Sequence, residues 1–365
     1  VENVSWQSIF FLNVPIAFVA VFVTLFAARE SRDETSTHHV DLPGVATVTV
    51  GLAALVLALV EGNSWGWGSA SIIALLAVSV LSFAAFVAAE RRSPEPMVDF
   101  RFFRSRSFLG ANVVAFIVSF AMLAMFFFLA LYMQNVRGYS PLQAGVRFLP
   151  STAVIIFAGP IAGRLADRIG PRALMTAGLV LTSGSLFWQG HLAVHTSYGF
   201  LVGAFVLMGL GMGLVMSPMS TAAMNAVEPT KAGVASGILS MSRMVGGTFG
   251  VAVMGALITA LGKSRIGELL PQLPAHTRER LSESLGAGGA GVSGQVGDAV
   301  KQAYVYSLNH GLRIAAGVSL LGALLAWTLI SNVIPARAHA VPAEPAPEAA
   351  AGAPAGEPVP EAVRG

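Results

Sequence analysis

Apolar residues arrive in blocks of about twenty, the length at which a helix crosses the hydrocarbon core of a bilayer. About nine such blocks are visible, at 9–28, 44–60, 70–89, 108–132, 142–162, 173–190, 200–223, 233–261 and 311–334. An unpaired backbone amide or carbonyl in hydrocarbon costs several kcal/mol, so every block must be helical. The predicted fold class is all-α, a polytopic transmembrane helical bundle. The stretch 262–309 mixes polar segments with a glycine cluster at 286–297 and reads as an external loop with one amphipathic helix near 278–285. The tail 335–365 is rich in Ala, Pro and Glu and is expected to be disordered. The stretch 99–108, DFRFFRSRSF, reads either as a helix lying in the membrane interface or as a positively charged connector.

The polar connections carry an orientation signal. Arg29 and Arg32, then Arg91, Arg92, Arg101, Arg104 and Arg106, then Arg164, Arg168 and Arg172, then Lys231 fall in alternate connections. Of the intervening connections, 60–70 and 190–200 hold no Lys or Arg, another holds only Arg137, and 262–309 holds five basic residues, which weakens the bias without reversing it. By the positive-inside rule the basic set is cytoplasmic, which puts the C-terminus in the cytoplasm of a plasma (inner) membrane protein. Trp6, Trp65, Trp67 and Tyr139 lie near the opposite boundaries, where aromatic belts form.

Composition agrees with a lipid environment. Of 365 residues 55% are hydrophobic and only 11% charged, against about 25% charged in a soluble domain; mean hydropathy is +0.70. The net charge of +3 resides in short loops and not on a face suited to nucleic acid, so no nucleic-acid partner is expected. The chain has no cysteine, which excludes disulfides and thiolate chemistry. His191 and His195 stand at i,i+4, but neither they nor His38 and His39 have a completing ligand in sequence, so no metal site is expected. Catalytic constellations are likewise missing, and the chain does not read as an enzyme.

Three groups of residues are candidates for function. The segment 163–172, GRLADRIGPR, joins two spans. Its Gly163 permits close helix approach, Asp167 suits the next helix's N-terminus, Pro171 suits a first helical turn, and Arg168 and Arg172 can pair with acids across the interface. It reads as a conformational latch or as a tight loop that fixes topology. Small residues and prolines inside spans form the second group: Gly159, Pro160, Gly209, Gly213, Pro218, Gly246 and Gly250. They permit close packing, either static or in helices that rock. The third group is a candidate substrate cavity. Asn112, Phe116 and Phe120 share a helical face with Ser119 and Leu123, and Met208, Met212, Met216 and Met219 form a second stripe. Arg243 lies about ten residues, roughly 15 Å, into its span. A central arginine costs about 2.5–3.5 kcal/mol on insertion, so it faces an interior or snorkels to the surface. No acidic residue occupies the middle of a span, so no proton carrier is named.

GRLADRIGPR resembles the cytoplasmic-loop signature of the major facilitator superfamily, G-x-L-A-D-R-x-G-x-[RK], at Gly163, Leu165, Ala166, Asp167, Arg168, Gly170 and Arg172. The blocks 5–15, SWQSIFFLNVP, and 96–108, PMVDFRFFRSRSF, together with the glycine-rich stretch 208–258, are similar to the fourteen-spanner drug:proton antiporters of the EmrB/QacA type. The resemblance implies the last helix of an N-terminal bundle at 1–33, two inserted central helices at 34–98, an interfacial linker at 99–107 and a six-helix C-terminal bundle at 108–334. It implies that about five preceding spans of the N-terminal bundle are missing, together with the family's coupling residues. The implied activity is secondary active export of drugs or other amphipathic small molecules, driven by the proton gradient with no bound cofactor. The lipid bilayer, the amphipathic substrate and the missing N-terminal bundle are the implied partners. The alternative is a truncated membrane module, or a partner-binding fragment, that transports nothing.

Overall fold

In the computed structural model, residues 8–27, 41–92, 98, 100–285 and 294–332 are described. Among them there is no β-strand. The helices are α1 (Ser8–Ala27), α2 (Leu42–Trp65), α3 (Ala70–Arg92), α4 (Arg106–Leu131), α5 (Pro141–Arg147), α6 (Leu149–Ile169), α7 (Pro171–Gln189), α8 (Tyr198–Met224), α9 (Ala232–Leu269), α10 (Ala275–Leu285) and α11 (Gly294–Leu329). Seven helical segments are long and apolar enough to cross a membrane: α2, α3, α4 with its continuation to Val136, α5–α6 together, α8, α9 and α11. The sequence blocks at 9–28 and 173–190 form helices that fall outside that set.

Local chemistry sets several of the helix starts. Asp41 caps α2 by accepting from the Gly44 amide at 3.0 Å, with Pro43 in the first turn. Ser105 caps α4. At α5, Ser140 Oγ accepts from the Gln143 amide at 3.3 Å and Gln143 Oε1 accepts from the Ser140 amide at 3.3 Å, a reciprocal capping box. The block at 142–162 is therefore a short helix and a long one meeting at Phe148.

Two differences from the sequence reading stand out. The stretch 99–108 is a short 3-10 helix at Phe100–Arg104 followed by the start of α4, not a continuous interfacial helix. Much of the expected external loop is helical: α9 runs on to Leu269, α10 fills Ala275–Leu285, and α11 begins at Gly294. Polarity sets which part of a helix lies in lipid. It does not end the helix, because α9 and α11 brace each other and α10 beyond the apolar portion. Leu285 of α10 seats against Gly262, where a side chain on the glycine would collide with it. The tail 335–365 and most of the glycine cluster lie outside the described residues.

The main bundle is built from α4, α6, α7, α8, α9 and α11, in which α4 pairs with α9, α8 lies between α6 and α7, and α11 packs on α7, α4 and α9. Buried tyrosines tie the bundle across its layers. Tyr304 on α11 donates to the Phe128 carbonyl of α4 at 2.7 Å, and Tyr132 donates to the Ala193 carbonyl at 2.6 Å. The α2–α3 hairpin, joined internally by Ser79 Oγ donating to the Gly51 carbonyl at 2.9 Å, attaches to α9 through α2. Helix α1 has no extensive contact with another described helix; Phe18 and Phe26 on it are 73% and 77% exposed.

Candidate functional site

Helices α4 and α9 run parallel and in register. A side chain at Gly246 would strike the Phe116 backbone, and one at Gly250 would strike the Phe120 backbone. The two glycines, four residues apart, therefore let the helix backbones touch, the small-xxx-small geometry of membrane helix pairs. One turn nearer the motif-bearing end, Ser242 Oγ donates to Asn112 Oδ1 at 2.9 Å, while Asn112 Nδ2 donates to the Phe108 carbonyl at 2.9 Å. The asparagine is thereby satisfied within an apolar interface. Phe249 of α9 lies 5.8 Å from Phe116 and 6.3 Å from Phe120, centroid to centroid.

Two cavities flank this seam, both between the hairpin and α9. The one toward α10 has a volume of about 770 Å³. Its apolar wall includes Leu123, Phe127 and Phe128 of α4, and its polar groups include Asn63 of α2, Thr248 of α9 and Glu283 of α10. Asn63 is held in place: its Nδ2 donates to the Ala252 carbonyl at 3.4 Å and its Oδ1 accepts from Trp67 Nε1 at 3.0 Å. The other cavity, about 570 Å³, lies toward the opposite ends of the same helices. Arg243 sits on α9 between the residues that line the two, 233–241 and 248–259. It is half-buried, and among the described residues no carboxylate lies within ion-pair distance of it.

The α8 methionines fall differently. Met208, Met212 and Met219 are fully buried in the bundle core and Met216 is half-buried, so Met212 packs against protein and not on an open wall. The reason is the position of α8 between α6 and α7, brought close by glycine. Side chains at Gly209 and Gly213 would strike Ser151 and Val154, and Ala158, respectively. Pro218 is buried in the same helix without interrupting it. Gly159 has no neighbour within 4 Å of the position its β-carbon would take, and Pro160 is exposed.

The segment 163–172 spans the α6–α7 junction. Gly163 lies against Ser217 of α8, and Gly170 has a φ of 84° with Asn332 filling the space a side chain would need. Gly170 is the N-cap of α7, and no side chain caps that helix. Asp167 does not do so because it still belongs to the last turn of α6, which ends at Ile169, and it is exposed there. Arg164 and Arg168 are exposed as well. Arg172 is instead half-buried, its guanidinium 4.1 Å from the centroid of Trp327 on α11.

Sequence reasoning had no means of finding Asn63, Thr248 or Glu283. They converge from α2, α9 and α10, separated by long stretches of chain, and each alone resembles an ordinary polar residue near a helix end. Leu123 was legible from its i,i+4 and i,i+3 relation to Ser119 and Phe120.

Residues 1–251 match the family model described as Major Facilitator Superfamily. The tetracenomycin C resistance and export protein of Streptomyces glaucescens is 33% identical over 271 residues, covering 74% of this chain and 50% of that protein. The multidrug resistance protein Stp of Mycobacterium tuberculosis is 36% identical over 260 residues, covering 71% and 48%. The puromycin resistance protein pur8 of Streptomyces alboniger is 29% identical over 335 residues, covering 91% and 61%. The chain thus spans about half the length of the first two of these relatives.

Proposed function

The chain belongs to the major facilitator superfamily, and from that premise we propose that it supplies the substrate-facing part of a proton-coupled exporter of drugs or other amphipathic small molecules. The relatives named for resistance and export support this reading. The observation that carries it is the cavity of about 770 Å³ with aromatic walls and a few convergent polar groups. Drug-sized ligands use cavities of roughly 300–1,000 Å³ with that division of labour. Arg243 supports it too, because a cation at membrane depth is expensive unless it faces a bundle interior or water.

In this reading the described bundle is the C-terminal one of the fourteen-spanner type, and α2–α3 is the inserted pair. A second bundle, whichever chain supplies it, covers the exposed side chains of α1 and meets Asp167, Arg164 and Arg168, which act as the latch. Glycine contacts at Gly246 and Gly250 are the seam on which α9 shifts against α4. The protein lies in the plasma membrane with the basic connections and C-terminus cytoplasmic. The proton gradient supplies the energy.

The test is dye flux in everted vesicles containing the chain, with and without whatever coding sequence lies in frame upstream. An amphipathic dye accumulates when a proton gradient is imposed and leaks away on adding a protonophore. Flux that ignores the gradient in both preparations contradicts proton coupling. The second reading, a membrane module that transports nothing, draws on α1, which has no extensive contact with another described helix and leaves Phe18 and Phe26 exposed. It predicts no flux in either preparation.

A further inference from the structure

The smaller cavity suits a ligand different from the exported compound. Its volume is about 570 Å³, and every residue lining it is apolar or glycine. Aromatic side chains, Phe83 and Phe86 of α3 and Phe100 and Phe103 of the 3-10 helix, face Gly233 and Gly237 of α9 across it. Neither glycine has any atom within 4 Å of the position its β-carbon would take, so α9 presents a bare backbone groove to this space.

Cations stand at its end. Phe83 and Val87 line the cavity at a spacing of four, and Arg91 continues that row by one more turn, at the end of α3. Arg104 directly follows the lining residue Phe103. Both arginines are exposed, and neither forms an ion pair among the described residues. An apolar slot ending in exposed cations, with no ion pair among the described residues, at a helix terminus matches a lipid, with its chain buried and its headgroup phosphate at the basic rim. Glu90 also adjoins the slot, its carboxylate accepting from the amide of the lining residue Val98 at 3.2 Å, but it is 2% exposed whereas both arginines are exposed. A polypeptide helix about 10–12 Å across would fill the volume with only about one turn.

We propose that the cleft between α3, the 3-10 helix and α9 binds an acyl chain of an anionic phospholipid, with the phosphate against Arg91 and Arg104. The lipid then acts as a wedge that joins the α2–α3 hairpin to α9 across this cleft. This inference depends on the helices spanning a bilayer and not on any transport activity.

Native mass spectrometry of the full chain, released from detergent micelles doped with phosphatidylglycerol or phosphatidylcholine, tests it. The chain retains one phosphatidylglycerol and does not retain phosphatidylcholine. Arg91→Gln with Arg104→Gln lowers the retained lipid by roughly thirtyfold, the expectation for two basic residues at an anionic headgroup. Gly237→Leu, whose β-carbon has nothing within 4 Å and which keeps both arginines, extends a side chain into the groove and displaces the lipid. Arg280→Gln, at an exposed position of α10 at the far end, leaves retention unchanged. Equal retention of both lipids overturns the proposal. So does undiminished phosphatidylglycerol in Gly237→Leu, an outcome that assigns the cleft to a covering polypeptide or leaves the lipid elsewhere on the surface.

Discussion

Ser242 on α9 and Asn112 on α4 share a 2.9 Å hydrogen bond inside a membrane-spanning pair that is otherwise closed by glycine-to-backbone contact. The bond fixes the register in which Gly246 meets Phe116 and Gly250 meets Phe120. Interhelical bonds of this kind average about 0.6 kcal/mol in membranes, with a maximum near 1.7. A double-mutant cycle of Ser242→Ala and Asn112→Ala, read by thermal unfolding in detergent, should give a coupling energy in that range. A coupling of zero would mean the register is set by the glycines alone.

The glycines themselves are distinguishable by the space around them. Gly250→Ala places a methyl group into the Phe120 backbone, and backbone cannot swing aside as a side chain can. Overpacking of this kind costs about 1–3 kcal/mol, so the variant should unfold at clearly lower temperature. Gly159→Ala meets nothing within 4 Å and should be neutral or slightly stabilising, since alanine is the better helix former. Equal effects from the two substitutions would contradict the close approach of α4 and α9.

At the α6–α7 junction, structure and proposed latch separate cleanly. Gly170 has a φ of 84° and ψ of 158°, a region essentially reserved for glycine, where another residue costs about 1–3 kcal/mol. Gly170→Ala should therefore lower the yield of folded protein. Asp167 is exposed and makes no cap, so Asp167→Asn should leave unfolding temperature unchanged while reducing gradient-driven dye flux. A stability loss in Asp167→Asn, measured by the same thermal assay, would place that carboxylate in the fold.

Trp327 gives a further check on the same junction. The Arg172 guanidinium stacks 4.1 Å from its ring centroid, an arrangement worth about 0.5–2 kcal/mol. Trp327→Leu keeps the apolar bulk but removes the ring face, and should destabilise the chain within that range by thermal unfolding. Trp327→Phe, which keeps a ring, should lose less.

Helix existence was legible because block length and lipid leave the backbone no other choice, as in α4 and α8, whose blocks at 108–132 and 200–223 lie within the observed helices. Where helices end was less legible. The apolar block of α11 begins at 311 while the helix begins at Gly294, because contacts with α9 and α10 sustain it outside the apolar stretch. Asn309 shows the same point. It looks like a loop residue in sequence, yet its side chain accepts from the Leu192 amide at 3.1 Å and donates to the Leu192 carbonyl at 2.8 Å. Side-chain direction was the least legible property. The methionine row of α8 has the spacing of a ligand-facing stripe, but spacing cannot tell a cavity wall from a core, and Met212 proves to be core.

The most direct test of the proposal that the larger cavity receives the exported compound, and so opens to water, exploits a chain with no cysteine of its own. Single cysteines at Thr248 in the larger cavity, at Arg243 beside it, and at Leu321 on the 54% exposed outer face of α11 are treated in native membranes with a water-soluble maleimide. The account predicts labelling at positions 248 and 243 and none at 321, where lipid covers the helix. No labelling at 248 and 243, or labelling at 321 as fast as at those two, would contradict it.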